Sequence, residues 1–210
     1  MYRTTPSAVK RCANLTASKR GHIVCNRAAS CGFIGDCELI NRFNHVAFRC
    51  KDAAQTVDFY TKAVGLPFVH AITNDVVPSV KMYCPHLHIF FGLNDGSAIA
   101  FFEVPTAPPA ILDTNTPSWV QHISFDVSSD EILIEGKKRL EAYGVQVLGP
   151  VDHHFAHSIY FFDPNGHRLE FTHWLEKEDS DRARHRAEAS SILQAWTERK
   201  AREFSKPAIA

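Results

Sequence analysis

Histidines and one strand-borne carboxylate carry the chemistry this sequence can offer. The chain holds 12 histidines in 210 residues, more than its composition would lead one to expect, and several sit in strand-like segments. There a metal-ligand or proton-transfer role competes with an ordinary buried hydrogen bond. His45 and His122 each open an alternating segment, and His153, His154 and His157 crowd the approach to Tyr160. Glu170 stands between Leu169 and Phe171. An unpaired carboxylate in such apolar surroundings is costly, and a metal or a hydrogen bond would relieve the cost.

The elements that must position these groups follow from local pattern. Asp163-Pro164-Asn165-Gly166 is a strong turn signal, because proline fixes one φ and glycine supplies a positive one. The aromatic run Ile159–Phe162 therefore faces a second strand that carries Glu170. Earlier, Arg42–Arg49 alternates as a strand with His45 away from the Val46 side. Asp52 is placed to cap a helix through Val57, Tyr60 and Val64, with Gly65 as its stop. Strands follow near Phe68–Ile72, His86–Gly92 and Ser97–Val104, the last two joined through Asp95-Gly96. After a connector from Pro105 to Pro117, the plan repeats. Val120–Val127 reads as a strand with His122, Ser124 and Asp126 on one face. Ser128 or Ser129 caps a helix bearing Leu133, Gly136, Leu140 and Tyr143, and Gly144 closes it. Strands near Gln146–Leu148, His157–Phe162 and His167–His173 complete the second half. The interval from His45 to His122 nearly equals that from Gly65 to Gly144, so the halves are two βαβββ modules in matched register.

Composition limits the partners. With 23 basic and 23 acidic residues the formal charge cancels, so no global field favours nucleic acid or an anionic membrane. No apolar run is long enough to span a bilayer. The six cysteines form no Cys-x-x-Cys pair, which points away from a zinc knuckle and towards a reducing, cytoplasmic setting. Residues 1–38 lack acidic side chains up to Gly35 and read as a poorly ordered leader, with organellar targeting as the alternative. Residues 176–210 read as a helical extension whose thin stripe, Ile192, Leu193 and Trp196, would pack on its own domain or on a second subunit.

Taken together, the paired modules, their first-strand histidines and the ending Asp163-Pro164-Asn165-Gly166-His167-Arg168-Leu169-Glu170 resemble the vicinal oxygen chelate superfamily. That group holds the glyoxalases, bleomycin and fosfomycin resistance proteins, methylmalonyl-CoA epimerases and extradiol catechol dioxygenases. The resemblance covers about residues 39–175, with modules at 39–104 and 119–175. It implies an α+β fold in which the modules form one cupped mixed sheet around a divalent metal. It also implies His45, His122 and Glu170 as ligands, a set like the facial triad of non-haem Fe(II) enzymes. Where glyoxalases and epimerases carry a further ligand on the fourth strand, this sequence has Ala100. Glu103 is the possible fourth ligand, but it comes three residues late and alternation turns it to the other face unless a bulge intervenes.

Three protein ligands favour the extradiol dioxygenases over the isomerases. Asp152-His153 resembles the segment in which those enzymes hold an acid–base histidine, with His154 or His157 as alternatives, and Tyr160 falls where they place a tyrosine against the substrate oxygen. Phe90, Phe101, Phe102 and Trp119 are candidates for an apolar wall, with His154 and His157 as further substrate contacts. The sequence departs from the pattern at Asp95, where extradiol enzymes often carry another histidine. The implied activity is cleavage of a catechol-like diol with O2, using Fe(II) or else Mn(II) or another divalent metal, in a homo-oligomer. A metal-dependent lyase or isomerase, and a non-catalytic small-molecule binding or resistance protein, are the alternatives.

Overall fold

The computed structural model describes residues 40, 42–108, 113 and 115–204; the expected leader lies outside them. The first module runs β1 (His45–Arg49), α1 (Ala53–Asp58), β2 (Phe68–Val77), β3 (Met82–Gly92) and β4 (Ala98–Glu103), and α1 continues through a π-helical segment, Phe59–Val64. The second runs β5 (His122–Asp126), α2 (Asp130–Ala142), β6 (Leu148–Asp152), β7 (Ala156–Phe162) and β8 (Arg168–Trp174), followed by α3 (Asp179–Glu203). Capping is as the sequence indicates: Asp52 accepts from the Gln55 N–H, Ser129 from the Ile132 N–H, and Gly65 ends its helix at φ 89°. β2 and β3 extend further than hydrophobic alternation suggested, and β6 begins where the expected strand ended.

Each module forms its own four-stranded mixed sheet, in the orders β1-β4-β3-β2 and β5-β8-β7-β6. The eight strands are thus divided between two sheets instead of forming one continuous cup. In both, the first strand pairs in parallel with the last, and this pairing brings a histidine strand beside the strand that ends the module.

A single hydrophobic core joins the modules. Ile89, Phe91, Ile99 and Phe101 enter it from the first sheet, Phe125, Ile159, Phe161, Leu169 and Phe171 from the second, and Phe59, Tyr60, Leu133 and Leu140 from the helices. Both sheets therefore turn one face, here called the back, to shared packing. Side chains alternate along a strand, so the fronts, which carry His45 and His122, turn away from that core.

A polar knot stitches the modules at the turn between β7 and β8. The buried Asp163 carboxylate accepts hydrogen bonds from the backbone N–H of Asn165 (2.9 Å) and of His167 (2.8 Å) and from the Asn165 side-chain amide (3.1 Å). The Tyr60 hydroxyl of the first module donates to it at 3.1 Å, and the Lys51 N–H donates to the Asn165 side-chain oxygen at 2.8 Å. Gly166 takes the positive φ, 96°, that the turn needs. Burial and the Asp163 carboxylate hold the Tyr60 phenol well above its ordinary pKa.

No side chain of α3 is buried, and Ile192, Leu193 and Trp196 are exposed, so the expected packing of this stripe on its own domain is absent among the described residues. No helix there is long and apolar enough to cross a membrane.

Replacing Asp163 strands several buried donors at once, each costly to leave unmade. Asp163→Ala should lower unfolding free energy by about 3 kcal/mol and Tyr60→Phe by about 1 kcal/mol, as measured by urea denaturation. Equal, small losses would show that the knot is not what holds the turn.

Candidate metal and active site

On the front of the second sheet, parallel pairing sets His122 opposite Arg168 and Ser124 opposite Glu170, while antiparallel pairing sets Tyr160 opposite Glu170. Two strand registers thus bring one histidine, one carboxylate and one phenol to a single surface. The His122 Nε2 lies 3.2 Å from a Glu170 carboxylate oxygen. The His122 Nδ1 faces the Val120 carbonyl at 3.1 Å, an acceptor that suits an Nδ1 proton and so presents Nε2 as the nitrogen able to bind a cation. Glu170 is 7% exposed, and among the described residues no lysine or arginine pairs with it. A buried carboxylate beside an imidazole Nε2 is a donor set that fits a divalent cation, which would relieve the buried charge.

Tyr160 and His153 form the adjoining pair. The His153 Nε2 and the Tyr160 hydroxyl are 2.8 Å apart. Burial raises the Tyr160 pKa, and hydrogen bonding to and repulsion by Glu170 raise it further, against smaller lowering effects from Ser158 and Arg168. The phenol therefore keeps its proton across the neutral range and is available as a donor.

His45 is on the front of the first sheet. Its Nδ1 is tied to the Asn44 side-chain oxygen at 2.7 Å, so Nε2 is the nitrogen it can offer to a cation. Its ring neighbours are Phe90, with centroids 5.5 Å apart, and His88, at 5.9 Å. Among the described residues no three His, Cys, Asp or Glu side chains gather in an arrangement able to hold a metal. The expected convergence of His45 with His122 and Glu170 thus does not occur within one chain, because the two fronts face away from the core that their backs share.

Other expected site residues are redistributed. Glu103 is on the back, where its carboxylate accepts from the Ala53 N–H at the start of α1 (3.1 Å); no bulge interrupts the pairing of β4 with β1, so alternation prevails over a ligand role. Phe101 is wholly buried in the core and is no substrate wall. His157 is also on the back, bonded through Nδ1 to Asp130 at 2.9 Å, an acceptor it shares with His173, and so is removed from Tyr160. His154 is exposed at φ 70°, and Trp119 is 66% exposed in a turn. Phe90 and Phe102 do lie on the first front, joined there by His70, His86 and His88, with His88 stacked on Phe102 at 3.6 Å. Period-two reading of β3 would have found His86 and His88, and the same rule on β8 would have found Arg168 beside Glu170.

A sequence profile of the Glyoxalase/Bleomycin resistance protein/Dioxygenase superfamily matches residues 42–171. The chain belongs to this superfamily. It is 32% identical over 136 residues to a Bacillus subtilis (strain 168) protein provisionally named ring-cleaving dioxygenase MhqA; the match takes in 63% of this chain and 40% of that one. The chain thus spans about two-fifths of the length of this curated relative. The crystal structure of a glyoxylase/bleomycin resistance protein/dioxygenase domain from Frankia sp. EAN1pec is 19% identical, with a TM-score of 0.54 over 64% of this chain and 98% of the other. That of a glyoxalase/dioxygenase from Nostoc punctiforme is 22% identical, with a TM-score of 0.50 over 70% of this chain and all of the other. These two likenesses establish the superfamily fold.

The raised phenol has a sign that can be checked. A folded pKa above the unfolded value contributes stability that is fully present below the unfolded pKa and is lost as pH rises through the folded one. Wild type minus Tyr160→Phe difference titration at ~295 nm should show a phenolate appearing above the ordinary value of 10.0, and the variant should lose stability less steeply above that pH. A component titrating at or below 10.0 would contradict the described environment.

Proposed function

We propose that the protein is a divalent-metal-dependent, extradiol-type ring-cleaving dioxygenase acting on a catechol-like aromatic diol with O2, and that its sites form between two copies of the chain. One observation carries the reading: a buried carboxylate and an oriented imidazole, Glu170 and His122, lie 3.2 Å apart beside the hydrogen-bonded Tyr160–His153 pair. The similarity to MhqA supports the choice of reaction. His122 and Glu170 supply two of three facial ligands, and His45 of a second copy supplies the third when the first front of one chain faces the second front of the other. Exposed apolar side chains on the two fronts, Ile72 on the first and Phe162 on the second, give such a pairing surface to cover, and two-fold symmetry would complete two sites at once.

A divalent cation held by His122, Glu170 and the second copy's His45 would lower the pKa of a diol hydroxyl, and Fe(II) or Mn(II) there would also supply electron transfer to dioxygen. The chain's own residues do the rest. The Tyr160 O–H, held protonated, orients a substrate oxygen. His153, with Nε2 2.8 Å from that hydroxyl, takes the proton from the diol and returns it to the opening ring. Phe90 and Phe102 offer flat surface for the ring. The lyase or isomerase alternative needs a carboxylate on the front of β4, and the engagement of Glu103 at the start of α1 weighs against it.

Protein reconstituted anaerobically with Fe(II) should consume O2 in step with a yellow ring-opened product when catechols and air are added, and His122→Ala should abolish both. Metal binding without oxygen uptake from any diol would overturn the dioxygenase reading in favour of a lyase or isomerase. Assembly is tested by mixing His45→Ala with Glu170→Gln and refolding them together. Each variant alone should be inactive, while the mixture should recover roughly a quarter of wild-type activity, since half the dimers would then hold one intact site of two. No recovery would place all three ligands in one chain.

A further inference from the structure

Arg168 projects from the front of β8 between the groups assigned above. It pairs in register with His122 on β5 and with Phe162 on β7, and its guanidinium lies over the Tyr160 ring, 4.3 Å from the centroid. Its Nε is buried without a hydrogen-bond partner, and among the described residues no carboxylate forms an ion pair with it. Structural arginines at such depth are ordinarily paired, because an uncompensated guanidinium out of bulk water is costly. A cavity of about 760 Å³ opens on it, lined also by His122, Phe162, Thr116 and Asp113. The Asp113 carboxylate is already engaged by the Asn115 N–H at 2.9 Å and the Thr116 hydroxyl at 2.5 Å.

We infer that Arg168 is a specificity residue that receives a carboxylate on the aromatic substrate, so that the preferred substrate class is hydroxylated aromatic acids over neutral diols. The inference rests on the metal-site reading above. Charge supports it: a divalent cation and the Arg168 guanidinium exceed the carboxylates of Glu170 and Asp113 by one positive charge. A ligand carboxylate cancels that charge. The planar fork of arginine suits a carboxylate through two parallel N–H donors, and Phe162 in the lining of the same cavity suits a flat ring.

The test compares catechol with 2,3- and 3,4-dihydroxybenzoate by calorimetry on Zn(II)-loaded full-length protein, where no turnover intervenes. At least one dihydroxybenzoate should bind wild type about tenfold more tightly than catechol. In Arg168→Gln that ratio should fall to near one with zinc content unchanged, while Arg168→Lys should keep part of it. Circular dichroism of both variants separates this from misfolding. Benzoate binding to metal-free protein separates the arginine from the metal: binding that Arg168→Gln removes sustains the inference even where zinc does not load, and then the metal reading alone falls. Equal affinities for catechol and both acids in wild type, or an advantage that survives Arg168→Gln, overturns the inference.

Discussion

The buried carboxylate of Asp163 is the constraint on which the rest of the structure depends. Four donors, two from backbone and two from side chains, converge on it. It thereby fixes the tight connection of β7 to β8 and ties that connection to Tyr60 in the other module. Turn geometry sets register in a hairpin, and a one-residue slip would move every side chain to the other face. The turn therefore decides that Tyr160 stands opposite Glu170, and the parallel pairing of β5 with β8 then decides that His122 and Arg168 share that surface. A structural carboxylate with no part in the proposed chemistry thus determines which chemistry-bearing groups meet.

The shared core has a second consequence. Because the backs of both sheets and both module helices bury their apolar faces together, a single chain presents two outward fronts, one with an oriented His45 and one with His122, Glu170 and Tyr160. Each candidate histidine has its Nδ1 committed to an oxygen acceptor within two residues, Asn44 or Val120. That local tie presents Nε2 as a ligand nitrogen without any contact between modules. On the proposed reading these are half-sites prepared separately, and a second copy of the chain brings them together.

Much of this was legible in the sequence, for identifiable physical reasons. Helix caps at Asp52 and Ser129, the glycine stops and the Asp163–Gly166 turn are local signals, and local signals survive without tertiary knowledge. Alternation alone turns Glu103 away from the Ala100 face, and its carboxylate is engaged at the start of α1. What could not be read was which face each sheet buries against what. Phe101 and His157 have the right residue types, yet they turn to the core side, and only packing shows this. The separation of the fronts is equally invisible in one dimension, since matched modules are compatible with a closed cup or with two open ones. Arg168 is readable from its two-residue spacing to Glu170, although it also reads as part of the motif that follows the turn.

Cobalt(II) titration tests the central claim most directly, because the intensity of its visible absorption reports coordination without any turnover. The account predicts about one Co(II) per chain, with the absorption lost equally in His45→Ala, His122→Ala and Glu170→Gln. Unimpaired cobalt binding in His45→Ala, or no site in the wild type, would contradict it.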